Sequence, residues 1–401
     1  MSLSNGRHYL AIPGPSVMPD RVLQAMHTAA PNIYHGDLVD MVPGLLTDLK
    51  KVARTDAHAA IYICNGHGVW EASLANVVGP GDKVLVPVTG AFGHGWAEMA
   101  HKLGAEPITI DFGKRNAIDP TQVAEALRAD EAHEIKAVLA VFVDTSTSVR
   151  NDIQALRVAL NEADHPALLM SDCIASMGCD RFEMDAWGVD VAITGSQKGL
   201  MTPPGLGFVF FNDKADRVRG QMERVSGYWD WRPRIDPDIF YQYFCGTAPT
   251  HHLYGLRAAL DMIGEEGIEN IWARHEVLAN AIWAAFDAWG EGHDLQLNVE
   301  DIDARSRAVT SVRVGTSKAT DLRQWCEEKA GVTLGIGLGM AAPEAPEWHH
   351  FFRLGHMGHV NAHMVLGALA SIQAGMKAVG LPHNSGGLEA ATQVIANNAI
   401  G

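Results

Sequence analysis

The sequence predicts an α/β protein in which a mainly parallel, seven-stranded sheet lies between helices, followed by a smaller α+β domain. Short, almost unbroken apolar runs recur along the chain up to Phe211, and helical patterns separate them. Strands without polar alternation are typical of sheets that are buried on both faces, and helical connections make such sheets parallel. The 401 residues are enough for one large domain and one smaller domain.

The predicted elements alternate along the first half of the chain. Residues 1–19 form an extended arm with a rigid turn at Pro13-Gly14-Pro15, because proline fixes φ and lacks an N–H. A helix then starts at Asp20, which caps it. The seven predicted strands are residues 59–63, 83–88, 106–112, 136–143, 166–172, 190–195 and 207–211. Further helices are predicted over residues 42–55, 69–78, 96–103, 120–127 and 151–163.

The pattern changes after the last of these strands. Residues 226–250 are aromatic and contain proline, which predicts an irregular excursion that reaches a partner subunit. A long helical stretch over 251–289 leads into the smaller domain. Its predicted elements are strands at 308–314 and 351–358, helices at 319–329 and 361–379, and a glycine-rich turn at 335–339. We therefore predict a large domain of residues 20–258 and a small domain formed by residues 1–19 and 259–401.

The composition excludes several classes of partner. A formal net charge of −16 argues against nucleic acid and against an anionic membrane surface, although a small anionic substrate needs only a local positive site. No apolar run reaches the roughly 18 residues that a membrane-spanning helix needs. The five cysteines form no CxxC pair and the 19 histidines show no metal-binding spacing. We predict a cytoplasmic protein without a metal site.

Residues that carry chemistry follow several predicted strands. Asn65-Gly66-His67, Phe92, Asp144-Thr145-Ser146-Thr147, Asp172 and Lys198 all come at or after the carboxyl end of a strand. Ligands of parallel sheets collect at that edge. A glycine-containing turn at a helix start offers free N–H groups to a phosphate, and a desolvated lysine amine is what Schiff-base chemistry needs. These side chains therefore predict one shared site.

The segment GSQKGLMTPPGLGF, residues 195–208, is the most specific motif of the chain. Its Ser-Gln-Lys followed by Pro-Pro-Gly resembles the lysine motif of class V aminotransferases, which are pyridoxal 5'-phosphate (PLP) enzymes of fold type I. Within that class the chain is most similar to the alanine/serine–glyoxylate (serine–pyruvate) aminotransferases. The resemblance extends from the arm at Pro13 to the segment Arg353-Leu354-Gly355-His356.

The resemblance implies the fold and a role for each residue around the cofactor. Lys198 is expected to hold PLP covalently and to move the substrate proton, and Asp172 to pair with the protonated pyridine nitrogen. Phe92 is expected to stack on the ring, and a hydroxyl at Thr145 to approach it. The residues expected to bind the phosphate are Asn65, Gly66, His67, Gly68 and Gln197, together with Thr247 from the neighbouring subunit of a homodimer.

The substrate site is implied in the same way. Arg353 is expected to bind the α-carboxylate through two parallel hydrogen bonds, with Gly14 beside the substrate. The implied reaction is ping-pong transamination from a small amino acid of the alanine or serine type to glyoxylate or pyruvate. A donor with a second carboxylate would need a second arginine, which the pattern does not place.

The chain departs from the pattern of the family at three points. Phe244 stands where a phosphate-binding tyrosine is frequent, and Ser148 stands where glycine is usual. The loop Tyr34-His35-Gly36-Asp37 lacks the arginine that some serine–glyoxylate enzymes have after the histidine. The preferred amino donor therefore stays open.

Two other activities of the same fold remain alternatives. Pyridoxamine–pyruvate aminotransferase shares Gly355-His356-Met357-Gly358, but it has an arginine where this chain has Leu338 and a carboxylate near Asn65. Cysteine desulfurases normally have histidine where this chain has Gln197 and Phe92, and Cys326 lies in an amphipathic helix that suits a packing thiol. A non-enzymatic scaffold would be expected to lack Lys198, Asp172 or Arg353, and the sequence contains all three.

Overall fold

The structure, a computed structural model, describes residues 3–398. In the first half, the strands are β1 (Tyr9–Ala11), β2 (His58–Tyr62), β3 (Lys83–Val88), β4 (Glu106–Asp111), β5 (Ile135–Val141), β6 (Val143–Asp144), β7 (Val149–Arg150), β8 (Leu168–Asp172), β9 (Val191–Gly195) and β10 (Gly207–Phe211). The helices between and after them are α1 (Asp20–Met26), α2 (Asp37–Ala53), α3 (Gly66–Val77), α4 (Ala91–Lys102), α5 (Pro120–Ala129), α6 (Ile153–Glu162), α7 (Asp213–Gln221) and α8 (Arg232–Ile235).

The second half contains longer helices and a second sheet. Its helices are α9 (Thr250–Glu266), α10 (Ile268–Gly290), α11 (Ala319–Trp325), α12 (Ala362–Val379) and α13 (Gly387–Asn398). Its strands are β11 (Gln296–Leu297), β12 (Val309–Arg313), β13 (Val332–Ile336) and β14 (Phe351–Gly355). Among residues 3–398, no helix is both long enough and apolar enough to cross a bilayer.

The large sheet has seven strands in the order β2-β10-β9-β8-β5-β3-β4. Strand β10 runs antiparallel to both of its neighbours, and every other pairing in the sheet is parallel. This confirms the predicted mainly parallel, seven-stranded sheet. Strands β9, β8 and β5 are adjacent, so the segments that follow them leave the same edge of the sheet side by side.

Apart from the largely exposed edge strand β4, both faces of this sheet are buried, as the unbroken apolar runs predict. Along β5, Val138 and Ala140 belong to one hydrophobic cluster, whereas Leu139 and Val141 belong to the cluster on the opposite face. Because successive side chains of a strand point to opposite faces, β5 is apolar at every position from 137 to 141. The sheet is a rigid support for the groups at its edge.

The smaller sheet has five strands in the order β1-β13-β14-β12-β11, and its helices α10, α12 and α13 share a separate hydrophobic cluster. Strand β1 of the N-terminal arm pairs parallel with β13, and the other pairings are antiparallel. The arm is thereby tied to the smaller sheet. The domain boundaries at residues 20–258 and 259–401 stay a prediction.

Several predicted boundaries were wrong. Helix α2 begins at Asp37 and contains Pro43, and α4 begins at Ala91 although glycines in its first turns lower its helix propensity. The long helical stretch predicted over 251–289 consists of two helices, α9 and α10, which are separated at Gly267, whose φ is 83°. Gly335 belongs to strand β13, which the glycine-rich pattern concealed.

Candidate active site

A cavity of about 180 Å³ lies at the carboxyl ends of the parallel strands. Its described lining consists of Gly14, Pro15, Asn65, Gly66, His67, Trp70, Phe92, Val143, Thr145, Asp172, Ile174, Ala175, Gln197 and Lys198. Nine of the sequence-predicted site residues are in this set. Gly68, Thr247 and Arg353 are not.

Lys198 lies in the turn that follows β9, and its side chain is buried. The amine donates a hydrogen bond to the carbonyl oxygen of Pro13 in the N-terminal arm. Burial, together with the positive charge of Arg353, lowers the pKa of the amine to about 8. Desolvation disfavours the charged form of a lysine, so the neutral and nucleophilic amine is accessible near physiological pH.

The arm that covers Lys198 is fixed at Ser16. Its backbone N–H donates to the Gln197 carbonyl at 2.8 Å, and its hydroxyl donates to the Lys198 carbonyl at 2.7 Å. Next to it, Gly14 adopts a φ of 94° and lies so close to Lys198 that a Cβ atom there would be 2.5 Å from the lysine Cε. The glycine therefore allows the arm to approach the lysine.

Asp172 ends strand β8 at the floor of the cavity. Its Oδ1 accepts a hydrogen bond from the backbone N–H of Ile174 at 2.7 Å, and its Oδ2 accepts one from the indole N–H of Trp70 at 2.7 Å. Burial raises the pKa of this carboxyl to about 6 against the effect of these two donors. Asp172 is therefore mainly ionised at neutral pH.

The start of helix α3 contains a cap that the sequence did not predict. The Asn65 side-chain oxygen accepts hydrogen bonds from the N–H groups of His67 at 3.1 Å and Gly68 at 3.3 Å. Asparagine is a preferred N-cap residue because it satisfies these free donors. Nearby, Gln197 Oε1 is buried and has no hydrogen-bond partner among the described residues.

Phe92 lies in the first turn of α4, where a buried carboxylate holds the backbone. Asp144 Oδ2 accepts from the N–H groups of Phe92 at 2.9 Å and Gly93 at 3.3 Å, and its Oδ1 accepts from Ser146 N at 3.0 Å. Burial raises the pKa of Asp144. The cap comes from a segment about 50 residues further along the chain, so local sequence patterns do not reveal it.

Arg353 lies on β14, outside the cavity lining but close to the Thr145 loop. Its Nε donates to the carbonyl of Ile336 at 2.7 Å, and its Nη1 donates to the carbonyl of Thr145 at 2.8 Å. Burial lowers the pKa of the guanidinium to about 10, so it stays charged at neutral pH. Neither hydrogen bond uses Nη2.

Thr247 and Ser148 are two further positions that the sequence pattern singled out. Thr247 is exposed and does not line the cavity of its own chain, so its contact with a partner subunit stays a prediction. Ser148 adopts the left-handed conformation with a φ of 64°, and its hydroxyl oxygen accepts from Ser311 N at 3.1 Å. The serine therefore adopts a conformation that usually favours glycine, and it adds a bond to the smaller sheet.

Comparison with known families identifies the chain. The sequence model described as "Aminotransferase class-V" matches residues 61–362, which include most of the cavity lining. The protein belongs to the class V aminotransferase family. Enzymes of this family, including those of the same fold described below, depend on PLP.

Curated relatives align with almost the whole of this aminotransferase. The serine–glyoxylate aminotransferase of Methylorubrum extorquens is 36% identical over 405 residues, which cover 98% of each chain. The L-aspartate–glyoxylate aminotransferase of Paracoccus denitrificans is 36% identical over 388 residues, covering 95% of this chain and 94% of the relative.

Solved structures show the same fold. The ureidoglycine–glyoxylate aminotransferase of Bacillus subtilis superposes with a TM-score of 0.88 at 26% identity, covering 99% of this chain and all of the other. The pyridoxamine–pyruvate aminotransferase of Mesorhizobium loti gives a TM-score of 0.87 at 25% identity, covering 99% of this chain and 100% of the other. These two proteins share the fold of this chain, and the substrates in their names are stated of those two proteins alone.

The cavity of this aminotransferase fits PLP on structural grounds. Lys198 supplies a buried amine with a lowered pKa, and Asp172 supplies a carboxylate on the floor of the cavity. The buried Oε1 of Gln197 has no hydrogen-bond partner among the described residues, and a flip of this amide would present its N–H to a ligand instead. Cys326, in contrast, is buried in the smaller hydrophobic cluster, where burial raises the thiol pKa to about 12.

Substitution of Gly14 by alanine is expected to lower the turnover number about 100-fold. The added methyl group would displace the Lys198 side chain, and a 1 Å displacement of a catalytic group costs about this factor. Steady-state kinetics would measure the effect. Gly36→Ala is the matched control, because Gly36 has a φ of 93° but no atom of the described chain within 4 Å of its added methyl group. Equal turnover of the two variants would contradict the role of Gly14.

Proposed function

We propose that this aminotransferase transfers the amino group of a small amino acid of the alanine or serine type to glyoxylate or pyruvate, in two half-reactions at one site. The main support is the charge of the cavity. Within residues 3–398, Lys198 is the only lysine or arginine in the lining, and Arg353 donates a hydrogen bond to the carbonyl of the lining residue Thr145. One guanidinium suits one α-carboxylate, so substrates without a second carboxylate fit this site best.

The residues of the chain divide the work as follows. Bound PLP supplies an electron sink for the pair released from the substrate Cα–H bond. Lys198 Nζ, once free, takes the proton from Cα as a general base and later donates it. Asp172 stabilises the positive charge of the pyridine nitrogen. Arg353 would hold the substrate carboxylate, and Phe92 would pack against the ring face of bound PLP.

Phosphate binding is assigned to the N-terminus of α3. Gly66 and His67, which offer backbone N–H groups, line the cavity together with the amide side chains of Asn65 and Gln197. A helix N-terminus favours an anion through its free N–H groups and its dipole. Binding of the phosphate would require the Asn65 side chain to share or release the N–H groups that it now accepts.

A homodimer with shared active sites is part of the proposal. Buried Arg234 donates to the carbonyls of Ile61, Tyr243 and Tyr228, which anchors the excursion at 226–250 to strand β2. The excursion in turn presents exposed Tyr241 and Ile239, and it ends near exposed Thr247. Exposed apolar groups on an anchored segment suit contact with a second copy. Sedimentation velocity would measure the mass of the assembly.

A spectral half-reaction screen tests the proposed substrates. Alanine, serine, aspartate and pyridoxamine would each be mixed with the PLP enzyme without a keto acid. Alanine and serine are expected to convert the PLP spectrum into that of pyridoxamine phosphate, and glyoxylate or pyruvate is expected to reverse it. Conversion by aspartate alone would contradict the proposal, because it would require a second carboxylate site.

Pyridoxamine–pyruvate transamination is the second candidate, and one observation favours it. Asn65 accepts from the N–H of Gly68 and from the N–H of His67, which is one of the two groups assigned to the phosphate, so a ligand without phosphate would leave this cap intact. Leu338 is exposed and supplies no charge where that enzyme is expected to have an arginine. Conversion of pyridoxamine by the PLP-free protein, without conversion of alanine or serine by the PLP enzyme, would favour this candidate.

A further inference from the structure

Trp70 is a buried residue of the cavity lining, and it lies outside the lysine motif. It lies in the second turn of α3 and is 2% exposed. Its indole N–H donates to Asp172 Oδ2 at 2.7 Å. Because an indole N–H only donates, it matches an ionised carboxylate oxygen and cannot accept from a protonated one.

The ring of Trp70 is held on several sides. It stacks on Trp96 at a centroid distance of 6.3 Å, and it meets the rings of Phe92 at 6.2 Å and His67 at 4.7 Å edge-on. Gly95 leaves space for it, since a Cβ there would lie 3.1 Å from the indole. A ring packed in this way has one orientation, so the direction of its N–H is fixed.

The two oxygens of Asp172 are therefore held by two donors of different origin. The N–H of Ile174 fixes Oδ1 from the same loop, whereas the N–H of Trp70 fixes Oδ2 from a separate helix. Burial works against ionisation of this carboxyl, and the two donors favour it. Loss of the Trp70 donor would leave Oδ2 free to turn and the carboxyl easier to protonate.

We infer that Trp70 is a positioning residue of the transamination site, whose indole N–H keeps the Asp172 carboxylate ionised and oriented toward the pyridine nitrogen of PLP. The inference rests on the role of Asp172 in the proposed function. It adds a residue that acts through Asp172 and also contacts Phe92, so that one side chain orders two walls of the cofactor cavity.

Trp70→Phe tests the inference, with Trp96→Phe as its matched control. Both changes replace a buried indole by a smaller ring within one stacked pair, but Trp96 Nε1 has no hydrogen-bond partner in the part of the chain that the structure describes. The readout is the PLP dissociation constant of the PLP-free protein from pH 5 to 9. Trp70→Phe is expected to weaken PLP binding about 10- to 100-fold, because a hydrogen bond to a charged group is lost.

The pH profile separates the hydrogen bond from packing. In the unmodified protein PLP binding is expected to weaken below a pH of about 6, where Asp172 becomes protonated. Removal of a donor to the carboxylate makes protonation easier, so the acid limb of Trp70→Phe moves to higher pH, whereas that of Trp96→Phe stays. Equal affinities and equal acid limbs in the two variants would overturn the inference.

A second variant covers the case in which Trp70→Phe does not fold. Trp70→His has a smaller ring that retains an N–H donor, so its PLP affinity at about pH 8, where the imidazole is neutral, is expected to stay within about 10-fold of Trp96→Phe. A loss of PLP affinity above about 100-fold in Trp70→His, with the affinity of Trp96→Phe unchanged from the unmodified protein, would overturn the inference. Failure of the proposed function is distinguishable, because the unmodified enzyme would then bind PLP but would not convert alanine or serine.

Discussion

Lys198→Ala is expected to lower turnover by at least about 10⁴-fold, the largest effect of any single substitution in this protein. In the proposed function, this variant loses both the covalent attachment of PLP and the general base, and proton transfer by a placed side chain alone contributes about 10²–10⁴-fold. Turnover of alanine with glyoxylate and the visible absorbance of the attached cofactor would both be measured. Survival of both signals would contradict the assignment.

Lys214→Ala is the matched control for this substitution. Lys214 is a partly buried lysine whose pKa, like that of Lys198, is lowered, and it donates a hydrogen bond to the carbonyl of Ala167 at 2.9 Å. Unlike Lys198, it pairs with Asp190 and does not line the cavity. It is expected to lose stability and to keep turnover. Lys198→Ala should behave in the opposite way, because removal of a buried amine with a depressed pKa relieves a cost of desolvation.

The pH dependence of PLP attachment follows from the same lysine. Its amine attacks the aldehyde of PLP only in the neutral form, and its pKa is lowered to about 8. The rate of attachment is therefore expected to rise about tenfold per pH unit below that value and to level off above it. A rate that kept rising to pH 10 would indicate an ordinary exposed lysine.

Asp172→Ala is expected to have the second largest effect, a fall of about 100- to 4,000-fold in turnover together with weaker PLP binding. Removal of one partner of a buried charge pair costs about 3–5 kcal/mol, and each 1.4 kcal/mol corresponds to a factor of ten. The substitution also leaves the N–H groups of Trp70 and Ile174 without their carboxylate acceptor. Steady-state kinetics and PLP titration would measure both consequences.

Asp172→Asn is the informative companion variant. The amide keeps the shape of the side chain and one acceptor oxygen, but it carries no negative charge to stabilise a protonated pyridine nitrogen. Its turnover is therefore expected to stay within tenfold of Asp172→Ala, while its stability stays closer to that of the unmodified protein. Turnover near the unmodified level in Asp172→Asn would show that the charge is not required.

The parts of the site that the sequence predicted are those defined by strand ends. Lys198 and Asp172 follow apolar strands, and the parallel order β9-β8-β5 brings the ends of these strands together. The motif around Lys198 then added its chemistry. The structure also places Thr145 in the cavity lining because it follows β5 and the short strand β6 along the same edge.

The parts that sequence patterns missed depend on contacts between distant segments. Asp144 caps the first turn of α4, and Trp70 donates to Asp172 across about 100 residues of chain. The glycine-rich pattern of strand β13 is typical of a turn. These residues form a strand because they pair with β1 at the other end of the protein, which local sequence patterns do not reveal. The position of Trp70 shortly after the predicted phosphate-binding turn was the one sequence feature that could have indicated its role.

Reduction of the PLP enzyme with borohydride, followed by peptide mass mapping, tests directly whether Lys198 is the residue that holds PLP. Borohydride makes the covalent link between a lysine and PLP permanent, so the labelled peptide identifies the attachment site. We expect one label per chain, on the peptide that contains Lys198. A label on another lysine, or none in a protein that still transfers amino groups, would contradict it.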